Sequence, residues 1–213
     1  MRQGKVVLCF VMLAILLISD MPAESKGKVL VIVREGSEKL EFMLRMEVAP
    51  ILKKLTDAGY MAITATDTGG ALKVGEIRFF PDISLGKVVI KEYRGIVIPC
   101  MAASMITKTV RMPQRALELV ASAGKLGLPI AAEDCGVELL DKAGILSGKR
   151  FTIDPVLLTV APSGIYQDKG VVRDGMLVTS RVCPFIELYY GTPTTMPEMM
   201  RIFISMLGSD KKP

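Results

Sequence analysis

Apolar runs alternate with amphipathic segments along most of this chain. Four continuous apolar runs have the composition of buried parallel strands: Lys28–Val33, Tyr60–Thr66, Gly95–Pro99 and Leu128–Ala132. Apolar residues at helical spacing predict helices between and after them, over 38–58, 102–123, 137–146 and 196–207. Val171–Ser180 is typical of a hairpin with its turn at Asp174-Gly175. The pattern predicts an α/β fold, with a mostly parallel sheet covered on both faces.

Shorter features refine this prediction. Glu76–Phe80, Val88–Ile90 and Arg150–Ile153 are predicted to be short strands. Pro50 falls inside the first predicted helix and Pro113 inside the second. Because proline lacks an N–H group and clashes with the preceding turn, each should kink or divide its helix.

The first 25 residues differ from the rest. Arg2 and Lys5 precede the apolar run 6–18, and a polar segment follows over 19–25. This order predicts a signal peptide or N-terminal anchor over 1–25 and a single domain over 26–213. The apolar run is shorter than the roughly 20 residues of a membrane span. Cleavage and retention as an anchor both stay open, and either predicts an exported protein, periplasmic or extracellular, with no other membrane contact.

Composition narrows the classes of function. The chain has 213 residues, of which 50% are hydrophobic, enough for one well-packed domain. Its net charge of +5 comes from scattered lysines and arginines without a basic cluster, so nucleic-acid binding is not expected. The chain has no histidine, which excludes ordinary Cys-His hydrolase chemistry.

The segment Glu133–Gly136 stands between a predicted strand and a predicted helix. Such an elbow projects one side chain over the end of a sheet, close to the N–H groups of a helix N-terminus that favour a thiolate. Cys135 lies in this elbow, and Cys100 and Cys183 also follow predicted strands. In parallel sheets, ligands bind at the edge formed by the carboxyl ends of the strands, which is where these three cysteines are expected. Buried cysteines, however, often serve only as small apolar residues.

Two further expectations concern ligands. The cysteine spacing matches no recognised metal motif, so neither a metal nor another cofactor is expected. Arg181 ends a predicted strand, where it would bind an anion or pair with a neighbouring acid.

Several segments together resemble the ThiJ/PfpI (DJ-one) family of the class I glutamine amidotransferase-like superfamily. The resemblance covers about residues 28–207 and rests on Gly36–Glu41, Phe79–Leu85, Ile96–Pro99, Ala131–Gly136 and Asp174–Arg181. It implies a flavodoxin-like three-layer sandwich, commonly dimeric. Known members include glyoxalase or deglycase enzymes, cysteine peptidases, hydratases and chaperone-like stress proteins.

The resemblance also implies the site residues. Ungapped alignment puts Asp134 at the family's nucleophile position and Cys135 one place later, where the family has His or Ala; a gapped alignment restores the cysteine. Glu41 matches the family's acidic residue, so two carboxyl groups would meet in the cleft. There they would form an acid–base pair, bind a cation, or share a proton in a structural hydrogen bond.

The family's Pro-Gly-Gly turn, part of its oxyanion site, is replaced by Pro99-Cys100-Met101. With Gly136, Arg181 and Cys183, Cys100 and Met101 are therefore candidate oxyanion or pocket residues. Because Cys100 replaces a glycine that lies close to the elbow in the family, a Cys100–Cys135 disulfide is a candidate.

Three hypotheses of function follow. The first is an exported protein with an altered catalytic centre that binds a small molecule or partner, or has a stress-related role. The second is an enzyme of glyoxalase, deglycase or lyase type that uses Cys135 or Asp134 together with Glu41. The third is a redox protein that cycles a dithiol between Cys100 and Cys135.

Overall fold

A computed structural model describes residues 25–37, 39–100 and 112–209. Residues 1–24 of the predicted N-terminal segment, Met101 and residues 102–111 of the second predicted helix lie outside this part of the chain. Within the described ranges, no helix combines the length and the apolar character that crossing a membrane requires.

A seven-stranded sheet forms the centre of the molecule. Its strands are β1 (Lys28–Ile32), β2 (Met61–Thr66), β5 (Ile83–Ser84), β6 (Tyr93–Ile98), β7 (Ile130–Glu133), β10 (Val171–Asp174) and β11 (Leu177–Ser180). They lie in the order β10-β11-β7-β6-β1-β2-β5, and every neighbouring pair is parallel except the β10–β11 hairpin. The predicted mostly parallel sheet is confirmed.

Helices cover both faces of the sheet, as predicted. One face carries α1 (Leu40–Met43), a π-helical turn (Leu44–Val48), α2 (Ala49–Asp57), α5 (Pro184–Tyr190) and α6 (Met196–Gly208); the other carries α3 (Gln114–Lys125) and α4 (Val137–Lys142). Strand β1 shows why two cores form: Val29 and Val31 point into the first, whereas Leu30 and Ile32 point into the second. The fold is the predicted flavodoxin-like sandwich.

Two small sheets lie outside the central one. Strands β3 (Leu72–Val74) and β4 (Ile77–Phe79) form an antiparallel hairpin, and β8 (Arg150–Phe151) pairs in parallel with β9 (Ile165–Tyr166). The predicted strand Val88–Ile90 was wrong: the chain forms a 3-10 turn at Ile90–Glu92 instead. That apolar stretch is too short for periodicity to separate a strand from a turn.

The first predicted helix is divided, and Pro50 marks the division. Four α-helical residues lead into the π-helical turn, and α2 begins at Ala49 with Pro50 in its first turn. Because Pro50 has no N–H to donate to the carbonyl four residues earlier, a regular α-helical hydrogen bond cannot form there. Glu47 lies in this π turn and is fully buried, on the face of the helix that also buries Leu40 and Ile51.

The strand order brings three chain segments to one place. Strands β11, β7 and β6 are neighbours and run in the same direction, so their carboxyl ends meet at one edge of the sheet. The residues that follow them include Cys183, Asp134 and Cys100, respectively. This edge is where open α/β sheets bind ligands.

Candidate functional site

Asp134 occupies the strand-to-helix elbow. It follows β7 directly and has a φ of 42°, the one positive φ at a residue other than glycine across the described ranges. Aspartate adopts this conformation more readily than most residues because its short side chain can bond locally. The backbone therefore has the sharp turn of a nucleophile elbow with an aspartate at its apex.

Gly136 holds the elbow against the end of β6. A Cβ atom at Gly136 would lie 2.8 Å from the carbonyl oxygens of both Ile98 and Pro99. Backbone carbonyls cannot rotate away as a side chain can, so this approach requires a glycine.

Three thiols converge on one oxygen of Asp134. The Sγ atoms of Cys100, Cys183 and Cys135 lie 3.5, 3.6 and 3.8 Å from Asp134 Oδ2, and each thiol is placed to donate to it. The other oxygen, Oδ1, accepts the backbone N–H of Asp154 at 3.2 Å. Asp134 is therefore fixed at both oxygens, with Oδ2 facing the sulfur atoms.

Burial controls the protonation of this cluster. It raises the pKa of Asp134 to about 7, although the Asp154 N–H acts against the shift. Burial, followed by the neighbouring thiols, raises the pKa of Cys100 well above its ordinary value. For Cys135 the hydrogen bond with Cys100 lowers the pKa, but burial and the charge of Asp134 outweigh it and the net shift is upward. Neither of these two thiols is activated as a thiolate.

Two further acids are buried behind the elbow. Glu47 and Glu133 are fully buried, and Glu47 Oε1 accepts the backbone N–H of Cys100 at 2.5 Å. No fixed donor among the described residues reaches either oxygen of Glu133. Burial, and then the Glu47 carboxyl group, raise the pKa of Glu133 well above its ordinary value. Glu133 therefore holds a proton more readily than an ordinary glutamate, and that proton can bond to Glu47.

The structure places Glu41 away from this cluster, contrary to the expectation that it meets Asp134. Its carboxylate pairs with Arg45 at 3.1 Å on the half-exposed side of the first helix, against Gly75. Glu47, six residues later, is the acid that reaches the end of β6. Glu41 lies outside the buried face of this helix, whereas Glu47 follows the buried Leu40 and Met43 by seven and four residues and points inward with them.

The candidate disulfide is not formed. Cys100, Cys135 and Cys183 are all free thiols, with Cys100 and Cys183 buried and Cys135 half-buried. Arg181 forms an ion pair with Asp168. Of the remaining pocket candidates, Gly136 supports the elbow backbone and Met101 lies outside the described residues.

A pocket opens above the elbow. Its cavity of about 250 Å³ has a polar floor and a mostly apolar wall, lined by Asp134, Cys135, Asp154, Val156, Leu157, Arg181, Val182, Cys183, Phe185, Ile186, Tyr190 and Thr192. Helix α5 supplies the aromatic part of the wall. This helix was not predicted, because it is short and its one local signal is Pro184 at a position well suited to begin a helix.

Known proteins resemble this chain in sequence and fold. A Drosophila melanogaster protein, dj-1beta, is 32% identical over 158 residues, which cover 71% of this chain and 79% of that protein. An uncharacterized Archaeoglobus fulgidus protein is 34% identical over 113 residues, or 52% of this chain and 66% of that protein.

Solved structures agree with these sequence matches. The crystal structure of Drosophila DJ-1beta superposes with a TM-score of 0.62 at 28% identity, covering 85% of this chain and 91% of that one. A ThiJ/PfpI domain protein from Brachyspira murdochii gives 0.67 at 16% identity, covering 88% and 99%. Residues 27–190 match the DJ-1/PfpI family as a whole. The chain therefore belongs to the DJ-1/PfpI family.

Proposed function

We propose that this chain is a small-molecule-binding member of the DJ-1/PfpI family whose elbow performs no cysteine chemistry. The observation that carries the proposal is Asp134 at the apex of the elbow, with φ of 42° and its side chain among three thiols. Cys135 lies one residue beyond the apex, its pKa is raised, and the chain has no histidine to act as its base. A cysteine nucleophile therefore lacks both position and activation.

The pocket wall supports a ligand with an apolar body and an acidic group. Val156, Leu157, Phe185 and Ile186 give most of the lining an apolar character. Arg181 adds a guanidinium group whose partner, Asp168, is largely exposed and can be exchanged for a ligand anion. The cavity of about 250 Å³ lies just below the usual range for small-molecule sites and suits a compact carboxylic acid.

Export is part of the same proposal. Its support is the order of a basic segment, an apolar run and a polar segment in residues 1–25. In that setting the protein would bind its ligand outside the cytoplasm.

A pocket-blocking variant tests ligand binding. Val156 lines the pocket but is 72% exposed, so Val156→Trp should fill the mouth without disturbing the core. Val89, 55% exposed and outside the pocket lining, offers Val89→Trp as a matched control. We expect benzoate to shift amide resonances around the pocket in the unmodified chain and in Val89→Trp, and to lose this effect in Val156→Trp.

The uncharged analogue benzamide separates the contribution of charge. If Arg181 binds the carboxylate, benzamide should bind more weakly than benzoate. Shifts that persist unchanged in Val156→Trp, or the absence of shifts with both compounds, would contradict binding in this pocket.

A further inference from the structure

The residues below the pocket floor have the arrangement of a metal site. One ligand atom each from Cys100, Asp134 and Cys183 lie within 4.8 Å of one another, and all three residues are buried. We propose that these three residues bind a single thiophilic metal ion, Zn²⁺ in the first instance. This inference goes beyond the proposed small-molecule binding and does not depend on it.

The fold brings the three ligands together from different parts of the sequence. Cys100 follows β6, Asp134 follows β7 and Cys183 follows β11, and these strands are neighbours in the sheet. The ligands thus stand on the ends of hydrogen-bonded strands rather than on independent loops. Cys100 and Asp134 are 34 residues apart in the sequence, and Asp134 and Cys183 are 49 apart. The three residues therefore form no short sequence motif from which the site could be predicted.

The donor set fits a thiophilic ion. Thiolates bind Zn²⁺ at about 2.3 Å and carboxylate oxygens at about 2.0–2.2 Å. Both thiols already face Asp134 Oδ2, at 3.5 and 3.6 Å. An ion placed between the three atoms replaces the two S–H hydrogen bonds, and the thiol protons pass to solvent as the ion binds.

Neighbouring groups orient these ligands. The Asp154 N–H holds Asp134 Oδ1, which leaves Oδ2 directed at the sulfur atoms. The Glu47 carboxyl group accepts the backbone N–H of Cys100 and fixes the backbone that carries this thiol. Such outer contacts orient the first ligands of metal sites and contribute to affinity.

The pocket supplies both access and a fourth coordination position. Asp134 and Cys183 line the cavity as well as the cluster, so an ion can enter through the pocket and keep one position open toward it. Cys135 also lies beside Asp134, but it is not one of the three residues whose ligand atoms cluster within 4.8 Å. Cys135 therefore serves as the nearby control thiol.

The test is a metal titration of the full chain. Protein freed of metal by a chelator, and kept reduced without oxygen, is titrated with Co²⁺ and then with Zn²⁺ in competition with a chromophoric chelator. We expect one equivalent to bind per chain, with a Co²⁺–thiolate charge-transfer band in the near ultraviolet that Zn²⁺ abolishes. Co²⁺ binding without that band would overturn the proposal. So would a Zn²⁺ titration in which the chelator gives the same signal with the protein as with buffer alone.

Cysteine variants assign the ligands. Cys100→Ser, Cys183→Ser and Asp134→Asn should each weaken Zn²⁺ binding by at least about tenfold, because losing a direct ligand costs no less than losing an outer contact. Cys135→Ser and Cys9→Ser, the latter outside the described residues, should bind as the unmodified chain does. Equal affinity across all five variants would contradict this ligand set.

Thermal melting separates loss of the site from loss of the fold. A metal-dependent rise in melting temperature is expected in the unmodified chain and in Cys135→Ser, and not in the ligand variants. The metal-free form of a Cys100, Asp134 or Cys183 variant should melt near the temperature of the metal-free unmodified chain. If Zn²⁺ still raises the melting temperature of such a variant, the residue is not a ligand. Benzoate binding in the metal-free chain is measured separately, so failure of either proposal can be recognised alone.

Discussion

Replacing Gly136 with alanine is expected to lower the free energy of unfolding by about 1–3 kcal/mol, in the upper part of that range. The new Cβ atom would lie 2.8 Å from two backbone oxygens, those of Ile98 and Pro99. Relief requires the elbow to move away from β6, because neither carbonyl belongs to a flexible side chain. That movement also displaces Asp134 from Cys100, so the loss of stability and the loss of Zn²⁺ affinity should appear together.

Gly86→Ala is the matched control. A Cβ atom added at Gly86 would meet no heavy atom within 4 Å beyond its chain neighbours, and the φ of Gly86 is not positive. Urea unfolding should show a large decrease for Gly136→Ala and little change for Gly86→Ala. Equal stabilities for the two variants would mean that the elbow does not pack against β6 as described.

Replacing Glu133 with glutamine is expected to stabilise the metal-free chain near neutral pH. The buried carboxyl group faces the Glu47 carboxyl, and the charges of Cys183 and Asp134 also act on it. Glutamine keeps the shape, carries no charge to desolvate, and can donate its amide N–H to Glu47. The benefit should be largest at alkaline pH, where the original carboxyl group would be driven to ionise.

The pH dependence has a definite sign. The pKa of Glu133 is well above its ordinary value of 4.5 in the folded chain, and that of Asp134 rises from 3.8 to about 7. Between pH 5 and pH 7 the folded state therefore binds more protons at these groups than the unfolded state does. The stabilisation that each group contributes is fully present below the pKa that the group has in the unfolded chain. As pH rises above that value, the free energy of unfolding decreases by about 1.4 kcal/mol per pH unit for each extra proton that the folded state binds.

Thermal melts of chelator-treated protein between pH 5 and pH 8 measure this effect. The melting temperature of Glu133→Gln should fall less steeply with pH than that of the unmodified chain. Glu92→Gln, at an exposed ion pair with Lys28, is the control and should leave the slope unchanged. Parallel slopes for Glu133→Gln and the unmodified chain would contradict a proton held at Glu133.

The sequence was sufficient to predict the sheet and its layers. Apolar runs such as Lys28–Val33 are long, rich in β-branched residues and bounded by glycine, so their conformation is determined largely by local pattern. Short elements depend on the neighbours they pair with. Strand β5 has only two residues, and it is a strand because these residues pair with the end of β2. No local sequence pattern predicts that pairing.

The candidate site was predictable only in part. The elbow motif placed Asp134 correctly at the apex, since a strand, a sharp turn and a helix follow one another without a gap. Glu41 does not meet Asp134 because it lies off the buried face of the first helix and pairs with Arg45, whereas Glu47 shares the buried face with Leu40 at helical spacing. The convergence of three thiols on one oxygen depends on strand order, and strand order cannot be deduced from spacing along the chain.

Turnover of methylglyoxal tests most directly whether this elbow carries out cysteine chemistry. The full chain is assayed beside Cys135→Ser, Asp134→Asn and Glu41→Gln, with buffer as the blank. With Asp134 at the apex and no histidine in the chain, we expect no consumption above buffer in any sample. Turnover by the unmodified chain that disappears in Cys135→Ser would contradict the central claim. Turnover that disappears in Asp134→Asn but not in Cys135→Ser would instead identify an enzyme that uses Asp134.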